Sequence, residues 1–289
     1  MSHDFGPYGF GPYGVFAHGS QLTPEFAAAL ERLGYSAIWV GGSPAGDLTA
    51  VEDLLAATET ITIATGIVNI WKDAADIVAA SYHRLEDRYP GRFVLGIGVG
   101  HPEATGARYT KPYDAVVGFL DELDAADVPP ERRVLAALGP RMLRLSAERS
   151  AGAHPYLVTP EHTRRARDIL GSGVLLAPEQ RVVLDPDLGR ARAIGRPTVQ
   201  KPYLGLVNYR SNLRTLGFDD TDLAGAGSDR LIDALVTSGD APAVAAGLAR
   251  HLEAGADHVA VHLLTADGAD PVDGFTALAE ELFSAGNAG

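Results

Sequence analysis

The chain has 289 residues, 46% of them hydrophobic, and a formal net charge of −13 from 24 Lys+Arg against 37 Asp+Glu. This composition predicts a folded globular protein, and its acidic balance disfavours nucleic acid, which needs a basic binding face. The absence of cysteine excludes disulfides, zinc–thiolate sites and Cys-ligated iron–sulfur clusters. No apolar run approaches the ~20 residues of a membrane span, and no signal peptide is recognisable. We therefore expect a soluble, cytoplasmic protein with neither membrane nor nucleic acid as partner.

The first residues contain a tandem repeat, Phe5-Gly-Pro-Tyr-Gly9 followed by Phe10-Gly-Pro-Tyr-Gly14. Because this density of Gly and Pro disfavours regular structure, residues 1–13 are predicted to form a leader that is flexible or lies on the surface. Residues 14–289 are predicted to form a single domain. The repeat also matches G-x-G-x-x-G, but a dinucleotide-binding loop follows a strand and opens a helix. This match precedes the first predicted strand and contains a proline, so we reject it.

Short apolar runs alternate with amphipathic stretches along the rest of the chain. Strands are predicted at 15–17, 37–40, 61–70, 93–100, 133–138, 156–158, 175–183 and 258–264. Thr23-Pro24-Glu25 and Thr159-Pro160-Glu161 each predict a helix start, with Thr as N-cap and Pro at the first helical position. Residues 186–255 contain helical pieces and no convincing strand. This pattern predicts an α/β fold, a (β/α)8 TIM barrel with a helical insertion after strand seven. A doubly wound open sheet is the alternative.

Glycines cluster where these strands end, which is the functional edge of a barrel. Gly41 and Gly42, Gly66 and Gly139 follow three strands, and Gly96, Gly98 and Gly100 alternate along a fourth. Such glycines either give packing room inside a narrow barrel or let a ligand lie against bare backbone. Their recurrence at four strand ends favours a flat, extended ligand.

Helices that begin at Pro140 and Pro160 would direct free N–H groups at the same edge, which suits a phosphate, although every helix needs capping. Histidines at or near strand ends, among them His18 and His101, are candidate acids or bases, but a single histidine is more often structural. His258 and His262 lack a third ligand, so no metal site is predicted.

Three segments resemble luciferase-like monooxygenases and their deazaflavin-dependent relatives. Leu85-Glu-Asp-Arg-Tyr-Pro-Gly-Arg-Phe-Val-Leu-Gly-Ile-Gly-Val-Gly100 resembles the strand-four signature of the family. Its Tyr89-Pro-Gly-Arg92 portion is similar to members that use coenzyme F420. Ala64-Thr-Gly-Ile-Val68 resembles the strand-three bulge, and Ala136-Ala-Leu-Gly-Pro140 the strand-five phosphate loop. Residues 14–265 as a whole resemble the actinobacterial type of probable F420-dependent oxidoreductase.

The resemblance implies a TIM barrel that transfers a hydride between coenzyme F420 and a small organic substrate. It implies a non-proline cis peptide near Gly66-Ile67 and a homodimer as a common assembly. By position, the implied cofactor-binding residues are Gly41, Gly42, Ser43, Gly66, Ile67, Gly98, Gly100, His101, Gly139, Pro140 and Thr159. An FMN-dependent luciferase-type monooxygenase and a non-catalytic cofactor-binding barrel are the alternatives.

The proton donor to the substrate stays open, because the chain departs from the family pattern at two places. Gly41-Gly42 replaces the Asp-His pair that some F420 enzymes carry, and His101-Pro102 replaces the usual small residue. The candidates are His18, His101 and Glu103. In the predicted insertion, Asn208, Tyr209 and Asn212 are candidates for polar contacts with the substrate.

Overall fold

The fold is a curled parallel sheet surrounded by helices. The computed structural model describes residues 9–100, 111–266 and 269–284. In these ranges the strands are β1 (Tyr13–His18), β2 (Ala37–Gly41), β3 (Thr62–Gly66), β4 (Val68–Asn69), β5 (Phe93–Gly98), β6 (Arg133–Leu135), β7 (Gly152–Ala153), β8 (Leu175–Leu176), β9 (Glu179–Val183), β10 (Val236–Ser238) and β11 (Val259–Leu263).

The helices lie between the strands along the chain. They are α1 (Pro24–Arg32), α2 (Thr49–Ala56), α3 (Ala75–Arg88), α4 (Pro112–Ala125), α5 (Pro140–Arg149), α6 (Pro160–Leu170), α7 (Leu188–Gln200), α8 (Val207–Thr215), α9 (Asp229–Leu235), α10 (Ala241–Glu253) and α11 (Pro271–Ser284). Three of them, α7 to α9, lie between β9 and β10. None of the described helices combines the length and apolarity needed to cross a membrane.

The sheet closes on itself through one bent segment. Its strand order is β10-β9-β11-β1-β2-β3-β5-β6-β7-β8, with β4 beside β5, and the pairs are parallel. Only Ala177 and Pro178 separate β8, which pairs with β7, from β9, which pairs with β11. The predicted TIM-barrel class is confirmed, and an open doubly wound sheet is excluded.

Several strand predictions need correction. Residues 156–158 form no strand: Pro155 lacks an amide hydrogen and Leu157 has a φ of 54°, so the sixth barrel strand is Gly152–Ala153 instead. The strand predicted at 61–70 is interrupted at Ile67. A strand missed by the sequence prediction, Val236–Ser238, directly follows α9 without a Gly or Pro to mark the change.

The two Thr-Pro-Glu segments start helices as predicted. The hydroxyl oxygen of Thr23 accepts a hydrogen bond from the Phe26 amide at 3.2 Å, and that of Thr159 from the His162 amide at 3.4 Å. Each threonine thereby satisfies one of the free amides of the first helical turn, and the following proline needs no partner there.

The end of the predicted leader is packed inside the barrel. Phe10 is buried and stacks on Trp39 with ring centroids 5.4 Å apart, and the Gly11 carbonyl accepts a hydrogen bond from Nδ1 of His258 at 2.6 Å. Residues 9–13 therefore close the amino-terminal end of the barrel, in contrast to the flexible or surface position expected for them. Residues 1–8 lie outside the described ranges.

Candidate functional site

A cavity of about 470 Å³ opens at the carboxyl ends of the strands. Its size suits a small molecule or cofactor ring. The described residues that line it come from most of the barrel strands and from the segment around α8: Phe16, His18, Gly42, Ser43, Gly66, Ile67, Asn69, Val99, Gly100, Ala136, Ala137, Leu138, His154, Tyr156, Tyr203, Asn208, Tyr209 and His262.

One side of this cavity, which we call the glycine wall, consists of Gly42, Ser43, Gly66, Ile67 and Gly100. A β-carbon on Gly42 would overlap the His18 ring, and one on Gly100 would overlap the Asn69 amide. Both glycines also have positive φ, 81° and 58°, which L side chains rarely adopt. The wall therefore presents backbone, over which a flat ring fits.

The Gly66–Ile67 peptide bond is cis, as the family resemblance implies. Ile67 lies between β3 and β4 and lines the cavity. Its side chain packs under Gly98, where an added β-carbon would lie 2.8 Å from Cγ1 of Ile67.

The other predicted glycines of these strands serve packing. A β-carbon on Gly96 would overlap the Thr65 carbonyl oxygen, and one on Gly41 would lie 2.7 Å from Cε1 of Phe16. Gly98 is buried between Ile67 and Ala136. None of the three lines the cavity, so packing explains their small size.

Gly139, Pro140 and Thr159 lie at the starts of α5 and α6. Gly139 is the exposed N-cap of α5, and a β-carbon there would meet no atom within 4 Å. Thr159 is buried, caps α6 and lines a second, smaller cavity rather than the one that holds the glycine wall. The two helix starts thus offer separate places for an anionic group.

The structure places His18 in the cavity, whereas His101 and Glu103 lie outside the described residues. His18 is exposed, and its Nδ1 lies 2.9 Å from the hydroxyl of Ser20. Of the predicted substrate contacts, Asn208 and Tyr209 line the cavity and Asn212 does not.

His154 puts an unpaired hydrogen-bond acceptor at the cavity floor. The ring is 2% exposed and stacks on Trp39 at 3.9 Å. Burial lowers its pKa to about 4, so the ring is neutral at pH 7. Nδ1 lies 2.6 Å from the Ala177 carbonyl and must donate to it, which leaves Nε2 as an acceptor. Nε2 has no hydrogen-bond partner among the described residues and is itself buried, 3.4 Å from the position of a β-carbon added to Gly66.

On another side of the cavity a buried carboxylate holds a histidine, a pair that the sequence prediction missed. Nδ1 of His262 on β11 lies 2.7 Å from Oε1 of Glu179 on β9. Glu179 is fully buried, whereas the His262 side chain is 15% exposed and lines the cavity. The two residues are 83 positions apart, and only the pairing of β9 with β11 brings them together.

The Gly91-Arg92 pair, which carries part of the resemblance to F420 enzymes, lies at the opposite end of the barrel. Arg92 precedes β5, and its guanidinium donates to the carbonyl oxygens of Thr58 at 2.7 Å and Ile61 at 3.1 Å. It ties the loop before β3 to the start of β5. Its role in this chain is structural.

Comparisons with known proteins agree with this geometry. Residues 18–126 match the family model of luciferase-like monooxygenases. A search of curated protein sequences found no match. Among solved structures, an F420-dependent secondary alcohol dehydrogenase in complex with an F420–acetone adduct is similar, with 17% identity and a TM-score of 0.72 over 96% of this chain and 99% of that chain.

Two further structures show the range of cofactors on this fold. The coenzyme F420-dependent tetrahydromethanopterin reductase from Methanopyrus kandleri has 16% identity and a TM-score of 0.72, over 96% of this chain and 99% of that chain. The FMN-bound oxygenating constituent of 3,6-diketocamphane monooxygenase from Pseudomonas putida has 15% identity and a TM-score of 0.69, over 93% and 95%. Residues 18–126 thus match luciferase-like monooxygenases, and the chain is similar in fold to F420-dependent and FMN-bound enzymes.

Proposed function

We propose that the protein is a coenzyme F420-dependent oxidoreductase that acts on a small organic substrate. The observation that carries the proposal is the single cavity in which a glycine wall faces polar side chains at the carboxyl ends of the barrel strands. A planar tricyclic ring needs a flat surface on one face and room for a substrate on the other. The F420-dependent neighbours support the deazaflavin, although an FMN-bound neighbour shares the fold.

The residues present fit such a cofactor. The glycine wall would lie against the ring, because Gly42 and Gly100 present backbone without a side chain to this side of the cavity. The helix start at Gly139 would receive a phosphate, since its amides and helix dipole favour an anion. Lys72, whose Nζ donates to the Ser43 carbonyl at 2.9 Å, adds a cation beside the wall.

When bound, a deazaflavin supplies two electrons as a hydride, and the protein supplies binding, orientation and proton management. In this chain the glycine wall orients the cofactor, and Phe16 and Tyr156 limit the depth of the substrate space. His18 and the His262–Glu179 pair are among the described groups of the cavity that can hold or transfer a proton.

A fluorescence titration against F420 and FMN tests the proposal. We expect F420 to bind at least about tenfold more tightly than FMN, a difference of about 1.4 kcal/mol. Gly139→Asp should weaken F420 binding by a similar factor, because the new carboxylate would repel the phosphate. Gly118→Asp is the matched control: Gly118 lies inside α4 with no atom within 4 Å of an added β-carbon.

The outcomes separate the alternatives. Tighter binding of FMN, with oxygen consumption during turnover, would replace the proposal with a luciferase-type monooxygenase. Binding without turnover across a substrate panel would indicate a non-catalytic barrel. If neither cofactor binds, the oxidoreductase proposal is wrong.

A further inference from the structure

The side of the cavity away from the glycine wall contains a proton-transfer group. His262 lines the cavity, its Nδ1 lies 2.7 Å from a Glu179 oxygen, and its Nε2 has no hydrogen bond to any described residue. We infer that His262, held by Glu179, exchanges a proton with the oxygen of an uncharged carbonyl or hydroxyl substrate. The inference rests on the proposed function and extends it to the substrate class and the proton donor.

Glu179 is fixed as a carboxylate under the cavity. Its Oε2 accepts a hydrogen bond from the Leu157 amide at 2.9 Å, and Nε of Arg181 lies 3.5 Å from Oε1. Burial by itself raises the pKa of the Glu179 carboxyl, but the hydrogen bond from His262 and the Arg181 charge together lower it. Leu157 has a φ of 54°, rare for a bulky residue, and in this conformation its amide reaches Glu179.

This arrangement sets the proton positions on the imidazole. The carboxylate can only accept, so Nδ1 carries a proton and donates it to Glu179, and a neutral His262 presents the lone pair of Nε2. The same carboxylate stabilises the imidazolium that forms when Nε2 takes up a proton. Glu179 is therefore a positioning residue, and His262 is the catalytic candidate.

The balanced step uses Nε2 alone. In reduction, the Nε2–H bond of the imidazolium breaks and an O–H bond forms on the substrate oxygen as the C=O bond becomes C–O, and His262 regains its proton from water. In oxidation, the hydroxyl O–H bond breaks and its proton moves to Nε2. A bound reduced deazaflavin would supply the hydride to carbon in the first direction, and the oxidised form would accept it in the second.

The uncharged substrate class follows from the charges around the cavity. The described lining residues include no Lys, Arg, Asp or Glu. Arg181 lies beneath the cavity, and its guanidinium already interacts with other residues of the chain. Its Nη1 donates to the Thr198 carbonyl at 2.7 Å, its Nη2 to the Tyr156 hydroxyl at 3.0 Å, and its guanidinium carbon lies 5.3 Å from the Tyr156 ring centroid. Lys72 lies beside the glycine wall, so on the side of His262 an ionic substrate would find no counter-charge among the described lining residues, and its desolvation would be costly.

The first test needs no cofactor and no turnover. Side-chain 15N NMR of the purified protein, with the His262 signals assigned through His262→Gln, should show protonated Nδ1 and unprotonated Nε2 in the neutral ring. Benzyl alcohol, whose hydroxyl can donate to the Nε2 lone pair, should shift the Nε2 signal, and benzoate should not. An Nε2-protonated ring, no response to benzyl alcohol, or an equal response to benzoate overturns the inference.

The second test follows oxidation of reduced F420 with paired substrates, benzaldehyde and cyclohexanone against 4-carboxybenzaldehyde. We expect the uncharged compounds to react at least about tenfold faster. His262→Gln should lower kcat by about 100-fold or more, with the F420 Kd within about threefold of wild type. Glu179→Gln should lower kcat less, and added imidazole should partly restore His262→Ala. His83→Gln, the same change at an exposed position on α3, should have no effect.

Failure of the proposed function and failure of this inference give different results. If F420 does not bind, the proposed function is wrong. If F420 binds but the neutral carbonyls do not react, the charged compound is preferred, or His262→Gln keeps a third or more of the wild-type kcat, the cofactor assignment stands and this inference is wrong.

Discussion

Gly96 in β5 and Gly118 in α4 both lie inside regular secondary structure, but the space around their α-carbons differs. A β-carbon on Gly96 would overlap the backbone carbonyl of Thr65. Thr65 is held in place, because its hydroxyl donates to the Gly96 carbonyl at 2.9 Å and accepts from the Gly96 amide at 2.8 Å. A β-carbon on Gly118 would meet nothing within 4 Å. The alternating glycines in and just after β5 thus serve packing, with Gly96 against Thr65, Gly98 against Ile67 and Gly100 against Asn69. Of the three, Gly100 is the one that lines the cavity.

Gly96→Ala should therefore destabilise the fold by about 3 kcal/mol or more, the upper range for overpacking a rigid site. Gly118→Ala should stabilise it by about 0.5–1 kcal/mol, because alanine loses less backbone entropy in a helix than glycine does. Urea unfolding monitored by circular dichroism measures both. Equal stability of the Gly96→Ala variant and wild type would show that β3 and β5 are not in this contact.

Among the elements, the sequence predicted best those whose signals are local. The β-branched run around β3 and the two Thr-Pro-Glu starts depend on neighbours within a few residues, so pattern and propensity suffice. Short strands such as Gly152–Ala153 and Val236–Ser238 exist only because a neighbouring strand pairs with them. No pattern of two or three residues carries that information.

The same division applies to the candidate site. Gly42, Gly66 and His18 follow strands directly, so barrel topology alone indicated that they meet at one edge. The contact between Glu179 and His262 depends on strand register. In the pairing of β9 with β11, Ala260 lies opposite Glu179, and His262 is then two residues further on. A one-residue slip would have turned His262 away from the cavity.

The caps of α1 and α6 form a matched pair at the scale of elements. Thr23→Ala and Thr159→Ala each remove the hydroxyl that accepts an amide hydrogen bond of the first turn, so each should cost about 1 kcal/mol of unfolding free energy. If Thr159 also contributes to cofactor binding, as the family resemblance implies, only Thr159→Ala should raise the Kd of F420. Equal Kd values in the two variants would limit Thr159 to its capping role.

At the scale of the whole molecule, a column of rings links the closed end of the barrel to the cavity. Phe10 stacks on Trp39, Trp39 on His154, and the Phe16 ring lies 6.1 Å from His154 and 4.8 Å from His262, measured between centroids. The interior is thereby filled with flat side chains, two of which are imidazoles. A fully buried imidazole such as that of His154 is most stable in its neutral form, and this ties the stability of the fold to pH.

Four buried histidines should make the protein acid-sensitive. Burial lowers the pKa of His154, His251 and His258 to about 4 from an ordinary value of 6.5, and it lowers the pKa of His162 as well. Between these values the unfolded chain binds protons that the folded chain does not, so unfolding becomes easier as the pH falls. The stabilisation is complete above pH 6.5 and is lost on acidification toward pH 4, by about 1.4 kcal/mol per pH unit for each histidine. The lowered pKa of Glu179 affects the free energy of unfolding only below about pH 4.5, the ordinary pKa of a glutamate.

Urea unfolding at pH 7.5, 6.5, 5.5 and 4.5 measures this dependence. The free energy of unfolding should change little between the first two values and then fall by about 4 kcal/mol per pH unit from His154, His251 and His258, with a further contribution from His162. His251→Gln should reduce the slope by about 1.4 kcal/mol per pH unit, because His251 is one of these histidines and its Nε2 is bonded to the Gln180 side chain inside the fold. His83→Gln, on the exposed face of α3, should leave the slope unchanged. A flat profile between pH 6.5 and 4.5 would mean that the buried imidazoles are protonated in the folded protein. In His154 and His258, Nδ1 already donates to a backbone carbonyl, so a protonated ring would also need an acceptor for Nε2.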